Sequence, residues 1–287
     1  MSDIYCMDNL GPHLNTKNVH IVPLGYEYDR IIKPLRGRAD IVYLLVDDPT
    51  RDAETGTVDF DASCTSKKTD PASWIETTDY QHELRDEISE FAEVGGFPVR
   101  LDNFYDVMGV VTTIAAHHKI GPNSGDDVFV NISSGSHKTA VAAALGGMTV
   151  GARPYNVEPE SYEGDHESKP RTQGASSPEP MPMHPIKGPT KDQIKVLRYL
   201  LEMEEKNYTT NKARIIKHFE DNEVTLECLG DAENTSRSSN YRNLDSKVLK
   251  GLTEKEYIVI DKDGRSKSIE ITDSGLNILY AFGHLLR

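Results

Sequence analysis

The chain has 287 residues, with 46 acidic and 32 basic side chains and a formal net charge of −14. This length suits two ordinary domains, and so acidic a surface excludes binding to phosphate or anionic lipid unless the basic residues are clustered. No stretch approaches the roughly 20 apolar residues that span a membrane, and the segment 1–11 lacks the features of a signal peptide. The three cysteines, Cys6, Cys64 and Cys228, are far apart and form no CxxC pair. We therefore expect a cytoplasmic protein without a membrane segment, disulfide framework or cysteine zinc site.

The first half of the chain alternates strand and helix signals. Helical spacing predicts helices at 26–38, 74–94, 104–119 and 136–146, and apolar runs predict strands at 18–24, 40–46, 97–101, 127–133 and 153–157. Continuous apolarity over 40–46 is typical of a central parallel strand, whereas Pro98 favours an edge position for 97–101. This alternation predicts an α/β fold, a Rossmann-like parallel sheet, as a sensor domain over 1–157.

The second half of the chain begins with a change of composition. Residues 158–189 contain seven prolines among Gly and Ser, and we interpret them as a linker. Thr190 and Gln193 are spaced as a capping box and start the next helix. Further patterns predict helices at 210–222 and 236–250, a hairpin of strands 256–260 and 268–272, and a final helix 274–286 capped by Asp273. This order predicts an α+β winged helix-turn-helix domain over 190–287.

Basic residues in the predicted winged helix favour double-stranded DNA as a partner. Residues 189–287 carry 16 basic and 17 acidic side chains, so this part is nearly neutral on a strongly acidic chain. A recognition helix lies in the major groove and a wing reaches nearby phosphates. The alternative is a protein-interaction winged helix with ordinary solvated lysines. The predicted DNA contacts lie on the third helix and at the hairpin tip: Arg237, Ser239, Asn240, Arg242, Lys247, Lys262, Arg265 and Lys267.

A second cluster of candidate residues follows the predicted strand at 127–133. Small residues in the turn 131–138 let the backbone approach a ligand closely, serine hydroxyls donate to phosphate or ribose, and the start of the next helix attracts anions. The turn at Gly25 and Tyr26 opens on the same sheet edge, where Tyr26 can stack on a base. Neither GxGxxG nor a P-loop is present, and a tight turn with a capping serine is the alternative.

The Ser-Gly-Ser-His-Lys turn at 134–138, before an Ala-rich helix, resembles the CRISPR-associated Rossmann fold (CARF). With the winged helix, the chain is similar to archaeal CARF transcriptional regulators, and its acidity suggests a haloarchaeal member. The resemblance implies a homodimer that binds a cyclic oligoadenylate, or a related nucleotide, across its two-fold axis. It assigns the ligand-binding residues to the loops after the first and fourth strands: Gly25, Tyr26, Ser133, Ser134, Gly135, Ser136, His137 and Lys138.

Three functions therefore stay open. The first is a ligand-responsive transcription regulator. The second is a ring nuclease in which His137 or Lys138 assists attack on a phosphodiester. The third is a ligand-independent dimeric repressor whose crevice is filled by side chains. No cofactor is predicted, and no metal site is expected at His117 and His118, because adjacent residues do not share a helical face.

Overall fold

The computed structural model describes residues 16–49, 79–120, 125–162, 172–184, 186–222, 225–229, 236–261 and 267–286. They fall into two compact units that divide between Ile186 and Lys187. Each unit has its own buried apolar core, and each is described by itself. Within the described residues, no helix is both long enough and apolar enough to cross a membrane.

The first unit is built on a mainly parallel sheet. Its helices are α1 Tyr28–Leu35, α2 Asp79–Ser89, α3 Phe104–Lys119 and α4 His137–Thr149. Its strands are β1 Asn18–Pro23, β2 Ile41–Asp47, β3 Glu93–Val99, β4 Asp127–Asn131, β5 Arg153–Asn156, β6 Ser161–Tyr162, β7 Thr172–Gln173 and β8 Glu179–Pro180. The main sheet has the order β3-β2-β1-β4-β5-β8, with the first five strands parallel, and β6 pairs only with β7. The predicted α/β, Rossmann-like class is confirmed.

Burial explains both the success and the error in the strand predictions. Strand β2 is buried from Ile41 to Val46 between β1 and β3, as its continuous apolarity predicts. Strand β3 lies at the sheet edge, as Pro98 predicts, but it begins at Glu93 rather than 97. The apolar pattern misses this start because Gly95 presents no side chain. A Cβ on Gly95 would lie 3.1 Å from the Tyr43 ring, so the ring occupies the space beside that glycine.

Part of the segment predicted as a linker belongs to the first unit instead. Residues Glu179–Pro180 pair antiparallel with the end of β5, and the Met181 N–H donates to the Pro154 carbonyl at 2.9 Å. Proline is tolerated there because an edge strand needs donors on one side only. The linker prediction therefore fails for this stretch, since edge pairing requires little apolar pattern in the sequence.

The second unit has the winged-helix order. Its helices are α5 Lys191–Glu205, α6 Lys212–Asp221, α7 Arg237–Leu244, α8 Lys250–Glu254 and α9 Asp273–Phe282, and its hairpin pairs β9 Ile258–Ile260 with β10 Ile269–Ile271. A π-helical turn at Asp245–Leu249 joins α7 to α8, so the helix predicted to end at 250 continues to Glu254. The predicted winged-helix fold is confirmed.

The first helix of this unit has the capping residue that the sequence predicts, whereas the last helix has a different one. The Gln193 N–H donates to Thr190 Oγ1 at 3.2 Å, and the Thr190 N–H donates to Gln193 Oε1 at 3.0 Å, which confirms the capping box. The final helix is capped by Thr272, whose Oγ1 accepts from the Gly275 N–H at 3.0 Å. The prediction of Asp273 as this cap is wrong. Asp273 instead lies in the first turn, where its charge favours the helix dipole.

A buried carboxylate fixes the long connection between α6 and α7. Asp192 on α5 is buried, and its two oxygens accept from the N–H groups of Glu227 and Cys228 at 2.9 and 2.7 Å. Cys228 is itself buried, and its pKa is raised to about 12 by desolvation and by the neighbouring Asp192. A thiol in this state is a poor nucleophile, so Cys228 serves packing.

His118 belongs to a buried polar network in the first unit rather than to a metal site. Its Nδ1 lies 2.8 Å from Asp126 Oδ2, and its Nε2 lies 2.9 Å from the Tyr43 hydroxyl. Asp126 also accepts from the Lys17 N–H at 2.9 Å. Both ring nitrogens are therefore occupied, and the network ties the end of α3 to β2 and to the start of β1.

We predict that acid destabilises this protein partly through His20. This side chain is buried, stacks on Phe129 at 5.0 Å, and has its pKa lowered to about 4, chiefly by desolvation and then by Arg38. Because the unfolded chain then binds the proton more tightly, the free energy of unfolding falls as pH drops from 6.5 towards 4, by on the order of 2–3 kcal/mol. Urea unfolding at several pH values measures this loss.

The variant His20→Gln is expected to flatten that pH dependence. His82→Gln is the matched control, because His82 is exposed on α2. An equal pH dependence in wild type and His20→Gln would contradict the prediction.

Candidate functional site

A crevice lies where β1 and β4 end side by side at the centre of the sheet. Ile21 of β1 is paired with Val130 of β4, so the turns that leave both strands meet at the same edge. The chain leaves β1 through α1 towards β2, and it leaves β4 through α4 towards β5, on the other side. This is the topological switch point, where open α/β sheets bind ligands.

Two glycines bring the turns into contact. A Cβ on Gly25 would lie 3.1 Å from Gly135 Cα and would collide with the Gly135 backbone nitrogen. Gly135 has φ +85, a conformation that side chains rarely allow. The Ser134 hydroxyl adds a hydrogen bond to the Pro23 carbonyl. The sequence predicted both turns as candidates, and the structure brings them together.

Ser133 and Ser134 face the interior rather than the crevice. Both are buried, and Ser133 Oγ accepts from the Val157 N–H at 2.7 Å. The Ser133 N–H donates to Asn131 Oδ1 at 2.8 Å, while Asn131 Nδ2 donates to the Arg30 carbonyl at 3.0 Å. These two hydroxyls thus hold the turn in shape. Their predicted role as direct ligand donors is corrected to one of positioning the loop.

The other half of the turn is exposed and forms the start of α4. Ser136 caps the helix, since its Oγ accepts from the Thr139 N–H at 3.1 Å. His137 and Lys138 follow as exposed residues, and the Lys138 ammonium donates to the Asp102 carbonyl at 2.6 Å. Across the crevice, Tyr26 is 40% exposed. A helix start with a nearby ammonium group attracts anions, and a half-exposed ring can stack on a base.

Glu27 and Tyr80 belong to the same region, although sequence reasoning missed both. Glu27 Oε2 is buried beside Gly25 without a hydrogen-bond partner, and the buried Tyr80 hydroxyl likewise has none in the described residues. The Tyr80 ring lies 5.9 Å from that of Tyr26. Desolvation first, and Glu27 second, raise the pKa of Tyr80 well above its ordinary value. No residue pattern marks this pair, because their meeting depends on α2 packing near the start of α1.

The winged helix exposes most of its predicted DNA contacts that the structure describes. Arg237 and Arg242 are exposed on α7, Lys247 is exposed in the π-helical turn, and Lys267 is exposed just before β10. Ser239 is half-buried. Lys262 and Arg265 lie outside the described residues.

Asn240 is wrongly predicted as a DNA contact. It is buried, and its Nδ2 donates to Glu220 Oε1 at 3.1 Å, which ties α7 to α6. Asn240 faces inward, whereas Arg237 and Arg242 on the same helix are exposed. The prediction missed this inward position because Asn240 stands among basic residues in the sequence.

In the parts of the chain that the structure describes, no group of three or more His, Cys, Asp or Glu residues is arranged to hold a metal ion. The fold defines a class of protein: a Rossmann-like domain with a switch point between β1 and β4, followed by a winged helix.

The family models agree with this class. The HFX_2341_N-like N-terminal model matches residues 18–162, just over half of the chain, so the chain belongs to this family. The model of the DUF6293 C-terminal winged helix domain matches residues 192–283. The two matches therefore bear out the predicted order of the chain, an N-terminal Rossmann-like domain followed by a C-terminal winged helix. None of the curated proteins matches the chain.

Three solved structures show distant similarity. Csm6 of Enterococcus italicus, bound to cyclic hexa-2'-fluoro-hexa-dAMP, is 14% identical, with a TM-score of 0.36 over 52% of this chain and 35% of its own. Can2 of Sulfobacillus thermosulfidooxidans, in complex with cyclic tetra-adenylate, is 10% identical, with a TM-score of 0.33 over 93% of this chain and 64% of its own. The protein VC1899 of Vibrio cholerae is 11% identical, with a TM-score of 0.32 over 93% and 65%. This chain thus spans about one third to two thirds of their lengths, and these TM-scores support no assignment.

We predict that Gly25→Ala destabilises the first unit by about 1–3 kcal/mol, because the new methyl group collides with the Gly135 backbone, which has no freedom to move aside. Chemical denaturation measures the change. Gly37→Ala is the control, since it has φ +69 but open space around the added methyl group. A smaller loss at Gly25 than at Gly37 would contradict the close approach of the two turns.

Proposed function

We propose that this protein is a ligand-responsive transcription regulator. In this proposal, the first unit binds a cyclic oligoadenylate or a related nucleotide as a homodimer, and the winged helix binds double-stranded DNA. Binding of the nucleotide changes DNA affinity because it favours one arrangement of the dimer over another. The observation that carries the proposal is the switch point, where the turn that starts α4 and carries the exposed Lys138 contacts, through Gly135 and Gly25, the turn that carries the exposed Tyr26.

The crevice offers complementary chemistry for each part of a nucleotide. The exposed start of α4 and Lys138 suit a phosphate, and the Tyr26 ring suits a base. The unpartnered Glu27 oxygen suits the amino group of an adenine or a ribose hydroxyl. The exposure of Tyr26, His137 and Lys138 on this edge favours the ligand-responsive regulator over the repressor whose crevice is filled by side chains.

An exposed apolar surface on α4 supports the dimer. Val141 is 52% exposed, and Leu145 and Met148 on the same helix are half-buried. These residues follow the crevice along the helix that starts at its edge. A second copy packed here would place two crevices close together, as a ligand shared across a two-fold axis requires.

We predict that cyclic tetra-adenylate binds wild type with one ligand for two chains, and that Lys138→Gln weakens this binding about tenfold. The substitution removes a charge beside the phosphate site and so costs roughly 1.4 kcal/mol. Isothermal titration calorimetry measures both the affinity and the stoichiometry. Lys33→Gln is the matched control, because Lys33 is an exposed lysine of α1 outside the crevice residues.

Absence of binding by wild type at high micromolar nucleotide would refute the ligand part of the proposal. The exposed His137, next to Ser136, makes the ring nuclease the second candidate function. Incubation with labelled cyclic tetra-adenylate distinguishes the ring nuclease from a regulator that binds the ring without cleaving it. Linear products that disappear in His137→Ala would assign the enzyme, and an intact ring would assign the regulator.

For DNA, we predict that Arg242→Gln and Lys247→Gln each weaken binding several-fold. Each substitution also reduces the slope of the logarithm of the binding constant against the logarithm of the salt concentration by about one, because one fewer counterion is released. Fluorescence anisotropy on a genomic fragment upstream of the coding sequence measures both effects across a salt series. Lys206→Gln is the control, since Lys206 is exposed at the end of α5. An equal loss in the control would indicate general charge attraction instead of a defined DNA surface.

A further inference from the structure

A cavity of about 500 Å³ lies in the first unit at a place that the proposed function does not use. Asn18, the first residue of β1, and Arg153, the first residue of β5, both line it. The cavity therefore lies towards the amino ends of the strands, whereas the crevice lies at their carboxyl ends. Its volume is in the range of small-molecule sites.

The floor of the cavity is aromatic and rigid. The His20 and Phe129 rings stack at 5.0 Å between centroids with an interplanar angle of 23°, and His20 Nδ1 lies 3.1 Å from the Tyr155 hydroxyl. Desolvation keeps His20 neutral at ordinary pH, so the floor carries no charge of its own. The walls are proline rings, which pack flat against planar groups: Pro34, Pro154, Pro178 and Pro180.

The mouth of the cavity carries two guanidinium groups. Arg153 stands over the Phe129 ring with its Cζ 5.7 Å from the centroid, and it also pairs with Asp127 at 3.1 Å. Arg38 is exposed in the turn that follows α1 and forms no ion pair within the described residues. Asp40 acts on the pKa of His20 in the opposite direction from Arg38 and raises it. Arg38 is thus the cation available to an incoming anion.

We propose that this cavity binds a planar aromatic or heteroaromatic ring that bears a carboxylate or a phosphate. The ring lies on the floor between the proline walls, and its negative charge pairs with Arg38 at the mouth. The inference stands independently of the proposed function, because it uses none of the crevice residues. Pro178 and Pro180 belong to the chain around β8, so an occupant also touches this antiparallel edge strand.

The test uses the full-length protein and two anionic probes, salicylate and 5′-AMP, each compared with its neutral counterpart, salicyl alcohol and adenosine. Saturation-transfer NMR gives the affinities. We expect at least one anionic probe to bind at least fivefold more tightly than its neutral counterpart, and Arg38→Gln to remove that preference. Lys33→Gln, which changes an exposed lysine of α1 five residues before Arg38, is expected to leave the preference unchanged. The two probes distinguish a carboxylate from a phosphate ligand.

Hydrogen exchange gives a second readout that does not depend on a variant. The Met181 N–H donates to the Pro154 carbonyl beside the cavity, so an occupant is expected to slow its exchange at least twofold. Binding that Lys138→Gln abolishes and Arg38→Gln leaves intact would place the probe in the crevice and overturn the proposal. Failure of both anionic probes to bind, or equal binding of the neutral ones, would also overturn it.

Discussion

The backbone contact between Gly25 and Gly135 is the constraint on which the candidate site depends. At the switch point the neighbouring strands β1 and β4 release their chains in opposite directions, and the two turns touch at glycines, where neither has a side chain. Because neither turn carries a Cβ at the crossing, the start of α4 is brought next to the residues that follow β1.

Around this contact, some polar side chains form hydrogen bonds within the fold and others are exposed to solvent. Three side chains form hydrogen bonds with backbone groups of α1, β1 and the chain after β5, respectively: Asn131, Ser134 and Ser133. Ser136 caps α4 and leaves His137 and Lys138 exposed. A loop held in shape in this way loses little conformational entropy when a ligand binds, so the anion binding that we propose requires few direct contacts.

The two ends of the strands in the first sheet offer different chemistry to ligands. The crevice at the carboxyl ends combines a helix start, a lysine and unpaired oxygens, which suit polar and anionic groups. The cavity towards the amino ends combines stacked rings, prolines and Arg38, which suit a planar ring. Strand β8, recruited from the segment predicted as a linker, forms one wall of this cavity and so joins the site to the edge of the sheet.

The sequence by itself determined the elements and the class of fold. Apolar periodicity predicted β1, β2, β4 and α3 nearly to the residue, and the capping box at Thr190 marked the start of the winged helix, because these signals are local. Only the tertiary structure decided which polar residues are available. Burial of Ser134 and Asn240, the orphaned oxygen of Glu27 and the pairing of β8 each depend on groups distant in the chain, and no local pattern encodes such contacts.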